Sequence, residues 1–165
     1  MIIKDKQVTL TTDFTQADIE HSIKKHIEIF DKEYGFLQPF NDGVTQLIGD
    51  FGKTYNPQKD FMLISRVDGE FAGTITAIGK ENGRVQLRFF FVEPSARGLG
   101  IGKLLFTTAM EKSKEMGYTH AFFSTYNVLK VARTMYRQLG FVITETEPDE
   151  EVAPGVIEEI WEKDL

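Results

Sequence analysis

The stretch Val92–Leu105, VEPSARGLGIGKLL, decides how the rest of the sequence is read. An apolar run, VQLRFFFV, meets Pro94; glycines then stand at 98, 100 and 102. Ile101, Leu104, Leu105, Thr108 and Ala109 follow at once with the three- and four-residue spacing of a helix. Backbone amides in the first turn of a helix lack an intrahelical partner, and the helix dipole adds partial positive charge to them. Alternate glycines keep Cβ atoms away from those amides, so strand, glycine run and helix together form a cradle for an anion such as a phosphate, with Arg97 at its edge. A glycine-rich turn can also do no more than join a strand to a helix, and that plainer reading stays open here. Two nucleotide signatures fail at named residues. The dinucleotide fingerprint G-x-G-x-x-G, counted from Gly98 and Gly100, needs glycine where Lys103 stands. A P-loop needs glycine at Arg97 and serine or threonine at Leu104.

Outward from this stretch, element signals are frequent. QVTLTTDF reads as an opening strand, and Ile19, Ile23, Ile27 and Phe30 mark one face of a helix that Thr15 or Asp13 caps. Gly35 and Pro39 interrupt it before a weaker helix around Val44, Leu47, Ile48 and Phe51. Asp68-Gly69 and Asn82-Gly83 are tight-turn pairs, and they divide residues 60–93 into three consecutive antiparallel strands. After the helix that follows the glycines, Gly117 is a stop. Then come a strand, THAFFST, a helix with Val128, Ala132, Met135 and Leu139 on one face, a stop at Gly140, the strand FVITETE, and a last strand in GVIEEIWEKDL. No repeat, linker or low-complexity segment intervenes, so residues 1–165 read as a single domain.

Composition narrows the function. The 165 residues, 41% hydrophobic, are enough for a core that needs no disulfide or metal. Absence of cysteine excludes thiolate nucleophiles and Cys-ligated zinc, and favours a reducing cytoplasm. A net charge of -6 argues against a nucleic-acid partner. No apolar run reaches the roughly 20 residues of a membrane span, and the N-terminus has no signal-peptide core.

Arg97, Gly98, Leu99, Gly100, Ile101 and Gly102 spell R-x-x-G-x-G, and with FFFVEP before and KLL after they resemble the coenzyme A signature of the GCN5-related N-acetyltransferases (GNAT). Ala132–Phe141, ARTMYRQLGF, is similar to the A-x-x-x-Y-x-x-x-G-F segment of that family. HIEIFDKEYGF and the tail IEEIWEKDL resemble the bacterial branch found both alone and fused behind MarR-type regulators. The resemblance implies an α/β (α+β) fold: a central mixed, mostly antiparallel sheet of about seven strands flanked by about four helices. It implies a cytoplasmic acyltransferase that moves an acetyl group from acetyl-CoA to a primary amine of a small molecule, amino acid or peptide, without a metal. The pyrophosphate is then expected on the amides of Gly98, Leu99, Gly100, Ile101, Gly102 and Lys103, with Arg97 nearby. The pantetheine arm is expected along Phe90, Phe91 and Val92, where a bulge splays the strand.

Tyr136 occupies the family's proton-donor position, and an ordinary phenol pKa near 10 suits it to reprotonating a thiolate. With no cysteine there is no acyl-cysteine route, so direct attack in a ternary complex is the simpler scheme. No general base is assigned: the strand offers Gln86 and Arg88 in place of a carboxylate, and His21, His26 and His120 read as surface or boundary residues. Arg88 shares a strand face with Gln86, so it either holds a substrate carboxylate or forms an exposed cross-strand pair. Glu28, Asp31, Glu33 and Tyr34 lie near the segment that walls the acceptor site in such folds, although the four also suit a solvated helix face. Asn127 stands two residues before the place where the family often puts an asparagine, now Leu129. Two other readings stay open, a non-catalytic acyl-CoA sensor and an O-acyltransferase. The aromatic tail at Trp161 suits a core strand or a homodimer contact.

Overall fold

A computed structural model describes residues 1–165. Eight strands form one sheet in the order β1-β2-β3-β4-β5-β6-β8-β7, and four α-helices cover it. The strands are β1 (Ile2–Ile3), β2 (Lys6–Thr11), β3 (Phe61–Val67), β4 (Glu70–Gly79), β5 (Arg84–Val92), β6 (His120–Tyr126), β7 (Val142–Pro148) and β8 (Ile157–Asp164). The helices are α1 (Gln16–Tyr34), α2 (Gln38–Thr54), α3 (Ile101–Glu115) and α4 (Lys130–Gln138). All strand neighbours are antiparallel except β5 and β6. The strand beyond the expected seven is β1, a two-residue addition that turns back at Lys4 and Asp5, both at positive φ.

The local signals act as chemistry requires. Thr15 caps α1, and its side chain and that of Asp18 exchange hydrogen bonds with each other's backbone amides. Asp18 also pairs with Arg66 of β3 at 2.9 Å, which fastens α1 to the sheet. Asn82 and Gly83 take φ of 60° and 71° to turn β4 into β5, as a tight hairpin turn demands.

Each face of the sheet has its own core. Ile19 of α1, with Val44, Ile48 and Phe51 of α2, packs on Met62 and Ile64. On the opposite face Ile101, Leu105 and Phe106 of α3 and Tyr136 of α4 meet Leu63, Ile75, Leu87, Phe123 and Trp161. Trp161 is fully buried there, as a core strand requires. Arg133 clamps α4 to β8 through two 2.8 Å hydrogen bonds to the buried carboxylate of Glu159.

His120 fastens the far end of β6 to β8, with Nδ1 2.9 Å from Asp164 and Nε2 2.8 Å from Glu162. The hydrogen bond to Asp164 is the larger cause, and the one to Glu162 the next, that raises its pKa above the usual 6.5. A raised pKa in the folded state means stability that is present below the unfolded pKa and lost as pH climbs through the folded value. Thermal melts between about pH 6 and about pH 9 should therefore show a smaller alkaline fall in His120→Gln than in the parent protein.

Candidate functional site

Strands β5 and β6 pair over three residues only, Arg84↔His120, Val85↔Ala121 and Gln86↔Phe122. Past Gln86, β5 stays with β4 as far as Val92↔Gly73, while β6 stays with β8 as far as Tyr126↔Glu158. The two strands therefore part in the middle of the sheet, and the backbone of Leu87–Val92 on that side has no strand partner. A bulge sharpens the parting: Thr76 faces Arg88 but Thr74 faces Phe91, so Phe89 and Phe90 together oppose Ile75. Phe89 adopts φ +54°, a conformation that costs a bulky residue strain and that packing must hold in place. Phe89 and Phe91 turn to the α1 face, where Phe89 packs on Phe51 and Phe91 on His26; Phe90 turns to the other and packs edge-on to Phe106.

At the end of β5 a single 3-10 turn, Pro94–Ala96, leads into the glycine loop. Arg97 N–H donates to the Pro94 carbonyl at 3.3 Å, and the next amide with a backbone acceptor is that of Leu104. The amides of Gly98, Leu99, Gly100, Ile101, Gly102 and Lys103 have no protein partner. Gly98 and Gly100 sit at φ +81° and +76°, and a Cβ on either would meet no atom within 4 Å, so the space above these amides is open. Gly102 has another reason to be glycine, since its Cβ would come within 3.2 Å of the Phe90 ring. Lys4 Nζ donates to the Gly98 carbonyl at 2.9 Å and steadies the loop from the first hairpin. The cradle thus suits an anionic diphosphate. Arg97 does not point freely into it, because Glu33 of α1 holds the guanidinium with hydrogen bonds of 2.5 and 2.8 Å. That bond is also the main cause that lowers the Glu33 pKa.

The glycine loop opens into one cavity of about 720 Å³ that passes the parted strands, a volume suited to a cofactor-sized ligand. Gln86, Arg88, Phe90, Phe91, Val92, Arg97, Gly98, Gly100, Ile101, Gly102, Tyr34 and Tyr136 all line it. Leu99 does not and packs against the main core instead. Lys103 is exposed and does not line it either; it faces the site only through its amide.

At the α1–α2 end the wall is aromatic, with Phe30, Phe40 and Tyr126, and Asp149 and Glu151 stand at its rim. Arg88 makes neither an ion pair nor a side-chain hydrogen bond, and its guanidinium lies 5.2 Å from the Phe89 ring centroid. Burial lowers its pKa, and Tyr126 and Glu158 act in the opposite direction by a smaller amount without forming an ion pair with it. The cross-strand pairing that the sequence left open is absent. Burial likewise raises the Tyr126 pKa to about 12.

Tyr136 is buried between Phe123 and Phe106, with ring centroids at 4.6 and 5.2 Å, yet borders the cavity. Burial raises its pKa well above the ordinary phenol range, against a smaller lowering by a hydrogen bond with Thr125. The value near 10 expected from sequence is thereby corrected. His26 needs a larger correction. It is 4% exposed and part of the cavity wall, whereas the sequence placed it at the surface or a boundary. Its cover comes from Phe89 and Phe91 of β5, which no local pattern on α1 discloses. His21 bonds the buried Glu93 carboxylate at 3.0 Å and belongs to the scaffold. Asn127 is committed too, since its Oδ1 accepts from the Ile157 amide at 2.8 Å. Glu33, one of the α1 residues that the sequence set near the acceptor wall, lines the cavity as the partner of Arg97, whereas Asp149 and Glu151 of the β7–β8 connection were not singled out for the site, and only the folded chain brings them to it.

Residues 24–141 match the model of the acetyltransferase (GNAT) family. The uncharacterized N-acetyltransferase YjgM of Escherichia coli is 30% identical over 67% of this chain and 64% of its own length, so the chain spans a little less than two thirds of that relative. The uncharacterized N-acetyltransferase C1271.07c of Schizosaccharomyces pombe is 24% identical over 87% of this chain and 88% of its own. Among solved structures, the PaiA N-acetyltransferase of Thermoplasma acidophilum in complex with coenzyme A superposes with a TM-score of 0.75 at 16% identity, covering 96% of this chain and 99% of that one, which shows a shared fold.

Proposed function

The chain belongs to the acetyltransferase (GNAT) family, and on that premise we propose that residues 1–165 form one transferase domain that moves an acetyl group from acetyl-CoA to a primary amine of a small molecule, amino acid or peptide. The observation that carries this reading is the row of unpartnered amides from Gly98 to Lys103, opening into a cavity that runs between β5 and β6. Acetyl-CoA supplies an activated acyl thioester. The chain's amides at Gly98–Lys103 bind its pyrophosphate, and Arg97 joins them by exchanging Glu33 for phosphate oxygens. The free backbone edge at Phe90–Val92 takes up the pantetheine arm as an added strand would. Tyr136 donates a hydrogen bond to the sulfur as its bond to carbon breaks. Donor and acceptor occupy the cavity together, and the amine attacks directly.

On the acceptor side Arg88 favours an amine that also carries a carboxylate, with Gln86 and Tyr34 in the wall of the same cavity. A half-buried guanidinium that makes no ion pair gains most from a bidentate anion. Coenzyme A release, measured with acetyl-CoA across free amino acids, polyamines and aminoglycosides, tests both halves. Turnover is expected with carboxylate-bearing amines. Arg88→Ala should lower kcat/KM for these by about 10- to 100-fold, the loss of one charged hydrogen-bonding partner, with little effect on polyamines. Equal losses for all acceptors would remove Arg88 from recognition. Tight acetyl-CoA binding without turnover on any amine would support the acyl-CoA sensor, and turnover on alcohols alone would support the O-acyltransferase.

A further inference from the structure

His26 stands in the middle of α1, with Nδ1 2.8 Å from the Ser22 carbonyl one turn back. A carbonyl can only accept, so the ring proton is on Nδ1 and Nε2 carries the lone pair. Three phenylalanines surround the imidazole: Phe91 edge-on at 4.7 Å, Phe30 nearly parallel at 6.0 Å and Phe89 edge-on at 6.4 Å. The ring belongs to the cavity wall beside the bulged segment of β5, where the strand edge is free. Nε2 has no protein partner, yet it is not among the unpartnered side-chain atoms sealed away from solvent. The other two histidines are spoken for, His21 by Glu93 and His120 by two carboxylates. His26 is thus the one imidazole with a free acceptor nitrogen at the cavity.

Building on the transferase reading above, we propose that His26 Nε2 accepts the proton that the acceptor nitrogen sheds as it is acylated, which makes His26 a catalytic residue. The new bond joins the acceptor nitrogen to the acyl carbon. The carbon–sulfur bond breaks with its electron pair passing to sulfur. The proton from nitrogen goes to Nε2, directly or through one water; the sulfur leaves as a thiolate hydrogen-bonded by Tyr136 and takes its proton from water, and the hydroxide so formed takes the proton held on Nε2. Burial among the rings lowers the His26 pKa to about 4, so the imidazole is neutral and able to accept wherever the amine itself is unprotonated. A base this weak also gives the proton up readily to water. It fills the role for which the strand offers no carboxylate, only Gln86 and Arg88.

Two variants and one spectrum test the role. His26→Asn keeps a donor near the Nδ1 position and removes Nε2, whereas His26→Gln returns an amide oxygen or nitrogen near the place of Nε2. For His26→Asn, kcat for coenzyme A release should fall about 100-fold, the usual worth of a positioned base, with the acetyl-CoA Kd and the melting temperature close to the parent values. His26→Gln should recover part of that loss by orienting water. In the parent protein with labelled histidine and coenzyme A bound, adding the acceptor amine should shift the Nε2 nitrogen resonance and leave Nδ1 nearly in place. A His26→Asn enzyme within about twofold of the parent kcat, or an Nε2 signal indifferent to the amine, overturns the role while leaving the transferase reading intact. No turnover in the parent protein overturns both.

Discussion

Gly100→Asp is expected to weaken acetyl-CoA binding by at least about 100-fold, read by calorimetry, while the circular dichroism spectrum stays that of the parent. Gly100 is the residue before the first turn of α3, at φ +76°, with no atom within 4 Å of where a Cβ would stand. The aspartate therefore clashes with nothing in the protein and fills the space over the cradle. Its carboxylate can take the very amides that a pyrophosphate needs, and it repels the diphosphate as well. Stability should change little. A left-handed non-glycine costs about 1–2 kcal/mol, and a carboxylate near the positive end of the helix dipole offsets about 0.3–1 kcal/mol of that. Gly100→Asn separates the causes, because asparagine tolerates the left-handed region and fills similar space without charge. The ordering parent, then Asn, then Asp isolates repulsion from crowding, and the Asp deficit should shrink as salt rises. Parent-like affinity in Gly100→Asp would mean that the donor binds elsewhere.

Most of the fold was legible because its signals are local. Asp68-Gly69 and Asn82-Gly83 set positive φ angles within two residues, Thr15 caps the helix it begins, and the spacing of Ile101, Leu104 and Leu105 declares α3 without help from distant parts of the chain. The glycine loop was legible for the same reason. Non-local properties were harder. The insertion of β8 between β6 and β7 is a pairing choice between separate strands, and only the completed sheet shows that the register of β5 with β6 ends at Gln86. Titration behaviour is least local of all: His26 owes its neutrality to burial against phenylalanines on β5, and Arg88 owes its lowered pKa to burial that exists only in the folded chain. Residue types and motif positions thus spoke for the glycine-loop end, the proposed donor site, which is built from backbone. The far end of the cavity, where we propose that the acceptor binds, is assembled from side chains on α1, α2, β5, β6 and a loop, and their environments exist only after folding.

Tyr136→Phe is expected to cut kcat by about 100-fold with the acetyl-CoA Kd and melting temperature nearly unchanged. The phenylalanine keeps the ring contacts that fix α4 against the sheet, with Phe123 at 4.6 Å, Phe106 at 5.2 Å and Trp161 at 5.4 Å, so only the hydroxyl is lost. The pKa raised by burial decides how the hydroxyl works. An ordinary thiol titrates near 8.5, well below this phenol, so a complete proton transfer from Tyr136 to a thiolate runs uphill. In the proposed mechanism the hydroxyl supplies a hydrogen bond to the sulfur while negative charge gathers there, in a buried setting where such a bond is strong. The phenol also stays protonated through the alkaline range, so the ratio of parent to variant kcat should be the same at about pH 7 and about pH 9. A ratio that collapses toward one as pH rises would mean that Tyr136 ionises in the working range, and undiminished turnover in Tyr136→Phe at both values would remove the residue from the mechanism.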